Sequence, residues 1–432
     1  MGFRLMSRPG HPTFSDLPWE QPLDEWSGGR IVTPVRGISR HVVCFVAYGD
    51  DLYALKETQL PIAQREYRLL RELDARGVPV VEAVGVASGR VANDGRELDA
   101  VLITRHLDFS LPYRALFSRG SMAELWQPML DALAELLVRM HLAGFFWGDC
   151  SLSNALFRRD AGRLAATLVD AETGEMHDAL SGGQRAHDLE IAEVNVAGEL
   201  FDLAYGGGQD LDPVAFARDL MLRYQGLWDE LTHDEVVEVG DSRAIDARVR
   251  RLNALGFDVA EIVLDEADDG ARLRLRTAVV EPGHHRRRLL TLTGLDVQEN
   301  QARRLLNDIR SHRATWSREI GHQLGENLVA MRWMAEVFQP TIDAVPLELH
   351  AKLEPAELYH QLLEHRWYLS ERAGHDVGAT ATIASYVGKV LLALPDEQHA
   401  VADAIDLDET FDVLDDDGVD HDGVGLPRPT PT

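Results

Sequence analysis

The sequence predicts an α+β fold of two lobes, followed by a smaller C-terminal domain. Three observations lead there. β-like runs with a single helix fill residues 30–105, amphipathic helices dominate from about 120 to 235, and the texture changes again at Asp241. At 432 residues and 45% hydrophobic content, the chain is long enough for two or three domains, each with its own core.

Residues 1–30, rich in Pro, Gly and Trp and without periodicity, read as an extended arm packed against the body. Strands are expected over 30–35, 42–48 and 52–58, separated by the turn signals Arg36-Gly37 and Gly49-Asp50-Asp51. Residues 62–75 have helical spacing, with Tyr67, Leu69, Leu70 and Leu73 apolar, and stop before Gly77-Val78-Pro79. Strands over 80–86 and 98–104 complete a five-stranded lobe with one helix, residues 31–107.

In the second lobe, residues 108–235, Ser121 followed by Glu124 is a capping-box signature. Leu125, Met129, Leu130, Leu133, Leu136, Leu137 and Met140 then recur at helical spacing until Gly144. Residues 155–157 and 164–169 read as a hairpin turning at Asp160-Ala161-Gly162, and 187–205 and 213–231 as helices. From 240 to 395 a helix through Leu255 and strands over 257–264 and 271–280 precede further helices, with breaks at Pro340, Pro346 and Pro355. Residues 396–432 hold twelve acidic residues and one Arg, and read as a disordered acidic tail.

Composition narrows the function. Cys44 and Cys150 are the only cysteines, too few for a disulfide framework or a cysteine-based zinc site. The N-terminus lacks the apolar core of a signal peptide and no apolar run is long enough to span a membrane, so a cytoplasmic protein is expected. The net charge of −28 argues against nucleic acid as the main partner. Of 43 basic residues only Lys56, Lys352 and Lys389 are lysine. Arginine serves wherever a generic positive charge suffices, so Lys56 marks a place where a compact ammonium is wanted.

Lys56 stands in Tyr53-Ala54-Leu55-Lys56 at the end of the third strand, the V-A-I-K pattern whose lysine reaches the α- and β-phosphates of ATP. Glu66, on the next helix, is placed to pair with it, while Glu72 lies almost two turns further on. Between the first two strands, Gly37, Ser39 and Arg40 stand where a phosphate-covering loop belongs, although one glycine is not G-x-G-x-x-G. The hinge over 104–107, with Thr104 and His106, would present its backbone to adenine. In Trp147-Gly148-Asp149-Cys150-Ser151-Leu152-Ser153-Asn154, Asp149 and Asn154 keep the D-x-x-x-x-N spacing of a catalytic loop: the Asp takes the acceptor hydroxyl's proton and the Asn holds Mg²⁺. Asp170, in Leu168-Val169-Asp170-Ala171-Glu172, stands where the second Mg²⁺-holding acid belongs. In this order and spacing the elements make a bilobal protein-kinase-like fold, with ATP and Mg²⁺ as cofactors.

The Ala54-Leu55-Lys56, Glu66, Gly148-Asp149, Asn154 and Val169-Asp170 series resembles the lipopolysaccharide-core (Kdo/heptose) kinases of the protein-kinase-like superfamily. The whole chain looks like the actinobacterial type, which adds a C-terminal domain of unknown function. The resemblance implies an ATP- and Mg²⁺-dependent phosphotransferase with a hydroxyl acceptor: a sugar, a small molecule or a protein Ser/Thr. It assigns catalysis to Lys56, Glu66 and Asp149 and the metal to Asn154 and Asp170. The sequence departs from that pattern in its reduced phosphate loop, in Trp147-Gly148 for His-Arg, and in Ala171-Glu172 for Phe-Gly. Little room remains after Glu172 for an activation segment.

The alternative is a pseudokinase or nucleotide-binding scaffold that engages a protein partner through the C-terminal domain or the acidic tail. Glu172 is read as a third metal ligand, a substrate contact or a solvated acid. Cys150 is expected to be buried packing. The basic run His284-His285-Arg286-Arg287-Arg288 is either an anion grip or a salt-bridged face, and His365-Arg366-Trp367-Tyr368-Leu369 is expected in a core or domain interface.

Overall fold

The computed structural model describes residues 2–35, 41–119, 122–207, 212–233, 235–238, 242–254, 257–266 and 272–398. Gly37, Ser39 and Arg40, Ser121 of the capping box and the tail from residue 399 lie outside them.

The first lobe is built on strands β1 (Arg4–Ser7), β2 (Ile31–Val35), β3 (Val43–Tyr48), β4 (Asp51–Thr58) and β5 (Glu82–Ser88), with helix α1 (Leu60–Ala75) between the last two. A two-stranded flap, β6 (Arg90–Val91) and β7 (Glu97–Leu98), leads to β8 (Ala100–Arg105). The sheet runs β1-β5-β8-β4-β3-β2, so the arm adds a sixth strand to the five expected. β1 approaches β5 so closely that a Cβ on Gly85 would sit 2.1 Å from Met6 O. The rest of the arm lays Phe14, Trp19, Leu23 and Trp26 over Cys44, Val46, Leu55, Val101 and Ile103 on one face of the sheet. The Trp19 indole N–H donates to Phe14 O at 2.8 Å, so this large aromatic is buried without stranding its polar edge. The opposite face packs on Tyr67, Leu70 and Leu73 of α1.

The second lobe opens with β9 (Ser110–Leu111) and α2 (Tyr113–Arg119), then the long α3 (Met122–Leu142). Of the expected stripe, Met129, Leu130, Leu133, Leu136, Leu137 and Met140 are fully buried and Leu125 is partly buried against them. β10 (Phe145–Phe146), the hairpin β11 (Ala155–Arg159)–β12 (Leu164–Leu168) and β13 (Glu175–Met176) follow. Ala161 and Gly162 both take positive φ at the hairpin tip. α4 (Gly182–Gly207) starts five residues before the expected 187. The reason is a reciprocal cap: Gln184 N–H donates to Ser181 Oγ and Ser181 N–H to Gln184 Oε1. α5 (Pro213–Thr232) is capped by the Asp212 carboxylate.

Beyond it, β14 (Glu235–Glu238), α6 (Ser242–Ala254), β15 (Phe257–Glu266) and β16 (Arg272–Pro282) form a three-stranded sheet ordered β14-β16-β15 with one helix; β14 was absent from the sequence expectation. The chain ends in helices α7 (His284–Thr293), α8 (Glu299–Ile320), α9 (Glu326–Trp333), α10 (Gln339–Asp343), α11 (Pro355–Ala373) and α12 (Gly378–Lys389) around Leu305, Ile309, Trp333, Phe338 and Tyr359.

Two expectations are corrected here. Pro340 does not break its helix, because a π-helical turn over Met334–Phe338 joins α9 to α10 just before the proline, which has no N–H to contribute. Trp367 and Tyr368 are not core: they are 66% and 49% exposed. The basic run, in contrast, is a salt-bridged face. His285 pairs with Glu299 at 2.6 Å, Arg286 with Asp296 at 2.5 Å and Arg288 with Glu326 at 2.7 Å.

The tip of the β11–β12 hairpin is gripped by the helical domain. Asp160, 2% exposed, accepts from the N–H groups of Asn300 (3.1 Å) and Gln301 (2.7 Å) in the first turn of α8. Burial pushes its carboxyl up to about 6. Ala161 N–H donates to Glu357, Arg158 pairs with Glu354, and Arg159 makes a two-pronged pair with buried Glu397.

Candidate active site

Side chains alternate along β4. Leu55 is buried against the arm, so Lys56 projects from the other face, toward α1 and the second lobe. Glu66 lies on the buried stripe of α1 with Ala63, Tyr67 and Leu70, and β12 ends two residues before Asp170. Three elements therefore converge. Lys56 Nζ is 2.6 Å from Asp170, 2.9 Å from Glu172 and 3.2 Å from Glu66. The ammonium donates to Glu66 and Asp170, and Glu172 lies within ion-pair distance of it. The rival Glu72 pairs instead with Arg76 at 2.7 Å.

Burial opposes the charge on Lys56, but Glu66 and Asp170 outweigh it and raise its pKa. Burial and then the charge of Asp170 push Glu66 up, against the pull of Lys56. Glu172 is held below the usual carboxylate range, its burial outweighed by Lys56 and by His41, which lies 3.0 Å away. Glu172 is thus an ion-paired member of the cluster, an outcome outside the three readings the sequence left open and not the solvated acid among them. The Glu172–His41 pair joins the sheet lobe to the end of the hairpin. Three carboxylates around one ammonium leave surplus negative charge. Oxygens of Glu66, Asp170 and Glu172 lie within 4.8 Å of one another, a hard-oxygen set that fits a divalent cation such as Mg²⁺.

Asp149 follows Gly148, which has φ +75°. Its Oδ1 accepts from Asn195 Nδ2 at 3.0 Å and its Oδ2 from Asn154 Nδ2 at 3.3 Å; Asn154 Nδ2 also donates to Asp149 O at 3.1 Å. Val169 N–H donates to Asn154 O at 3.0 Å, so the two expected metal ligands stand next to each other at the root of the hairpin. Two acids on α4, buried Asp188 and half-buried Glu199, carry the loop. Asp188 accepts from the N–H groups of Trp147 and Gly148, both at 2.8 Å, and contacts His141 at 3.0 Å. Glu199 accepts from Leu152 and Ser153 N–H. Cys150 is fully buried, and burial pushes its thiol well above the ordinary value, as expected of packing.

The hinge differs in detail from the sequence expectation. Thr104 lies inside the sheet between Ala54 and Ala83, and His106 N–H donates to Leu52 O at 2.8 Å. Those main-chain positions already serve the fold. Asn195, Asp188, Glu199 and His41 are the site residues that sequence reasoning missed. The signal for the first three would have been a run of polar residues on one side of an otherwise amphipathic helix; His41, ahead of β3, had none of that kind.

After Glu172 the chain returns at once to α4. Glu175–Met176 pair with Phe145–Phe146, and Thr173 Oγ1 donates to Trp147 O at 3.0 Å. Gly174 lies against the Phe145 ring, where a Cβ would come within 2.1 Å of Cζ.

Residues 49–194 match the family model described as Lipopolysaccharide kinase (Kdo/WaaP) family. Residues 226–391 match Domain of unknown function (DUF4032). No curated protein matches the chain. Among solved structures, one described as WaaP in complex with acyl carrier protein is 18% identical, with 58% of this chain and 99% of that chain covered at a TM-score of 0.35. No helix among the described residues is long and apolar enough to cross a membrane.

Proposed function

We propose that this chain, whose residues 49–194 belong to the lipopolysaccharide kinase (Kdo/WaaP) family, transfers the γ-phosphoryl group of ATP to a hydroxyl acceptor. The convergence of Lys56, Glu66 and Asp170 carries the reading. In it, residues 1–30 are an arm, 31–107 and 108–235 the two lobes of a cytoplasmic kinase, 240–395 an accessory domain and 396–432 a tail, whose first residues, with buried Glu397 on Arg159, are part of the fold and not disordered as expected.

Lys56, held extended by Glu66, grips the α- and β-phosphates. Asp149 accepts the acceptor's hydroxyl proton as its oxygen bonds to phosphorus, and the electron pair of the breaking bond leaves with ADP. Asn195 and Asn154 each occupy one oxygen of Asp149 and fix its orientation. Mg²⁺, when bound, neutralises charge on the β- and γ-phosphates. Asn154 and Asp170 would hold it, with Glu172 in reach. The acceptor class stays at a sugar, small-molecule or protein Ser/Thr hydroxyl.

The test is nucleotide binding. Mg-ATP at 100 times its dissociation constant is expected to stabilise the fold by about 2.7 kcal/mol, read as a rise in Tm. Asp170→Ala should remove most of that rise and all γ-phosphate transfer. Absence of any Mg-ATP-dependent shift in the wild type overturns the reading. Nucleotide binding without transfer to any acceptor or to the protein itself would favour the scaffold alternative.

The helical domain also has a place in this reading. It holds the tip of the hairpin whose two ends bear Asn154 and Asp170. Asp160→Ala is expected to lower kcat, toward the roughly 10²-fold that a misplacement of about 1 Å can cost, with the KM for ATP little changed. Steady-state kinetics on protein checked by its melting curve measures this.

A further inference from the structure

A cavity of ≈ 750 Å³, away from the kinase-like cleft, lies within the helical domain between α8, α10, α11 and α12. Its volume is in the range of sites for drug-sized molecules. Val337, Leu362, Leu363, Ile383 and Val387 make an apolar wall. One polar group stands out within it. Asp308 Oδ2 accepts from Trp333 Nε1 at 2.7 Å and from Tyr359 Oη at 2.8 Å, two neutral donors that fix the carboxylate without neutralising it. Its ion-pair partner, His312, is 3.8 Å away. Of the other charges lining the cavity, Glu336 is paired with Arg332 at 2.8 Å; Arg366 is paired with Asp376 and also attracts Asp308 electrostatically.

A second feature marks the same place. The π-helical turn over Met334–Phe338 contributes Glu336 and Val337 to the wall, and Pro340 and Thr341 follow from α10. Such turns are rare and recur at functional sites. On the opposite side, a Cβ on Gly388 of α12 would meet nothing within 4 Å.

We propose that this cavity binds a small cationic amphiphile, with an alkyl or arylalkyl body against the apolar wall and a protonated amine on Asp308. Charge selects this occupant over the chain's own tail: residues 396–432 carry twelve acids and one Arg, and would bring negative charge to Asp308 and Glu336. The site is independent of the phosphotransferase reading, and its test does not use that activity.

Calorimetry on the full chain at neutral pH, with dodecylamine, dodecanol and dodecanoate below their aggregation concentrations, tests this. The amine should bind saturably, at least about tenfold tighter than the alcohol, one such factor being 1.4 kcal/mol, and the carboxylate weakest. Asp308→Asn, which keeps an acceptor for Trp333 and Tyr359, should erase the preference for amine over alcohol. Gly388→Leu, which fills open space, should block all three while leaving the melting curve of the unliganded protein in place. Equal binding of amine and alcohol to the wild type, or amine binding unchanged in both variants, overturns the proposal. Binding that appears only after removal of residues 399–432 assigns the cavity to the tail and overturns it too. A dimer that Gly388→Leu dissociates assigns the cavity to a second copy and likewise overturns the proposal.

Discussion

Asp149→Asn is expected to lower kcat by about 10²–10⁴-fold, the range for loss of a positioned general base, while Mg-ATP affinity stays within about twofold. The separation follows from the geometry. Asp149 makes no contact with the Lys56 cluster; its oxygens are taken by Asn195 and Asn154. The loop that carries it is held by Asp188 and Glu199 through main-chain N–H groups, which the substitution leaves alone. Single-turnover phosphoryl transfer and calorimetric ATP binding, measured on one preparation, check both halves. A variant that retains more than a tenth of wild-type kcat sinks the assignment of Asp149 as base.

Lys56→Arg is the second large effect, and it bears on the scarcity of lysine. The Lys56 ammonium meets three carboxylates at 2.6, 2.9 and 3.2 Å, arranged around a single nitrogen at 14% exposure. A planar guanidinium presents its donors as a fork and cannot reproduce that tripod. We expect kcat/KM to fall by about 10²–10³-fold, as when one preorganised donor to a transition-state charge is lost. Lys389→Arg, at an exposed position of α12, should leave activity within error. Equal tolerance at both positions would show that the scarcity of lysine marks no special role for Lys56. Removing the charge altogether, as in Lys56→Met, leaves buried Glu66 beside Asp170 and Glu172 with no ammonium, a loss of about 3–5 kcal/mol when a buried pair is broken. Chemical denaturation reads it.

The residues that chemistry constrains in sequence were legible. A lysine ending a strand, an acid one helix away and the D-x-x-x-x-N loop stand in an order that phosphoryl transfer demands, and the structure draws Lys56, Glu66 and Asp170 together. Residues whose role depends on distant partners were not. Asp188, Asn195 and Glu199 look like the polar side of an amphipathic helix until α4 is packed beside the loop at 147–154. Asp160 reads as an ordinary turn acid, yet it also serves the first turn of a helix about 140 residues later. The four residues of β1 are too few for alternation to declare a strand, and its partner β5 lies some 80 residues away. Pro340 signals a break by local chemistry alone, and the π-helical turn that absorbs it is a non-local outcome of packing around Trp333 and Phe338.

The short return from Glu172 to α4 has a consequence for timing. Residues 173–181 contain a paired strand, a Thr173 hydroxyl bound to Trp147 and a Ser181 that caps the next helix, so no slack remains to reorder. An enzyme that must first fold a loop binds substrate only through the fraction of molecules already competent, and its apparent affinity is diluted by that fraction. On the proposed function this chain carries no such dilution. For this segment, folding would add no lag between the arrival of acceptor and nucleotide and turnover.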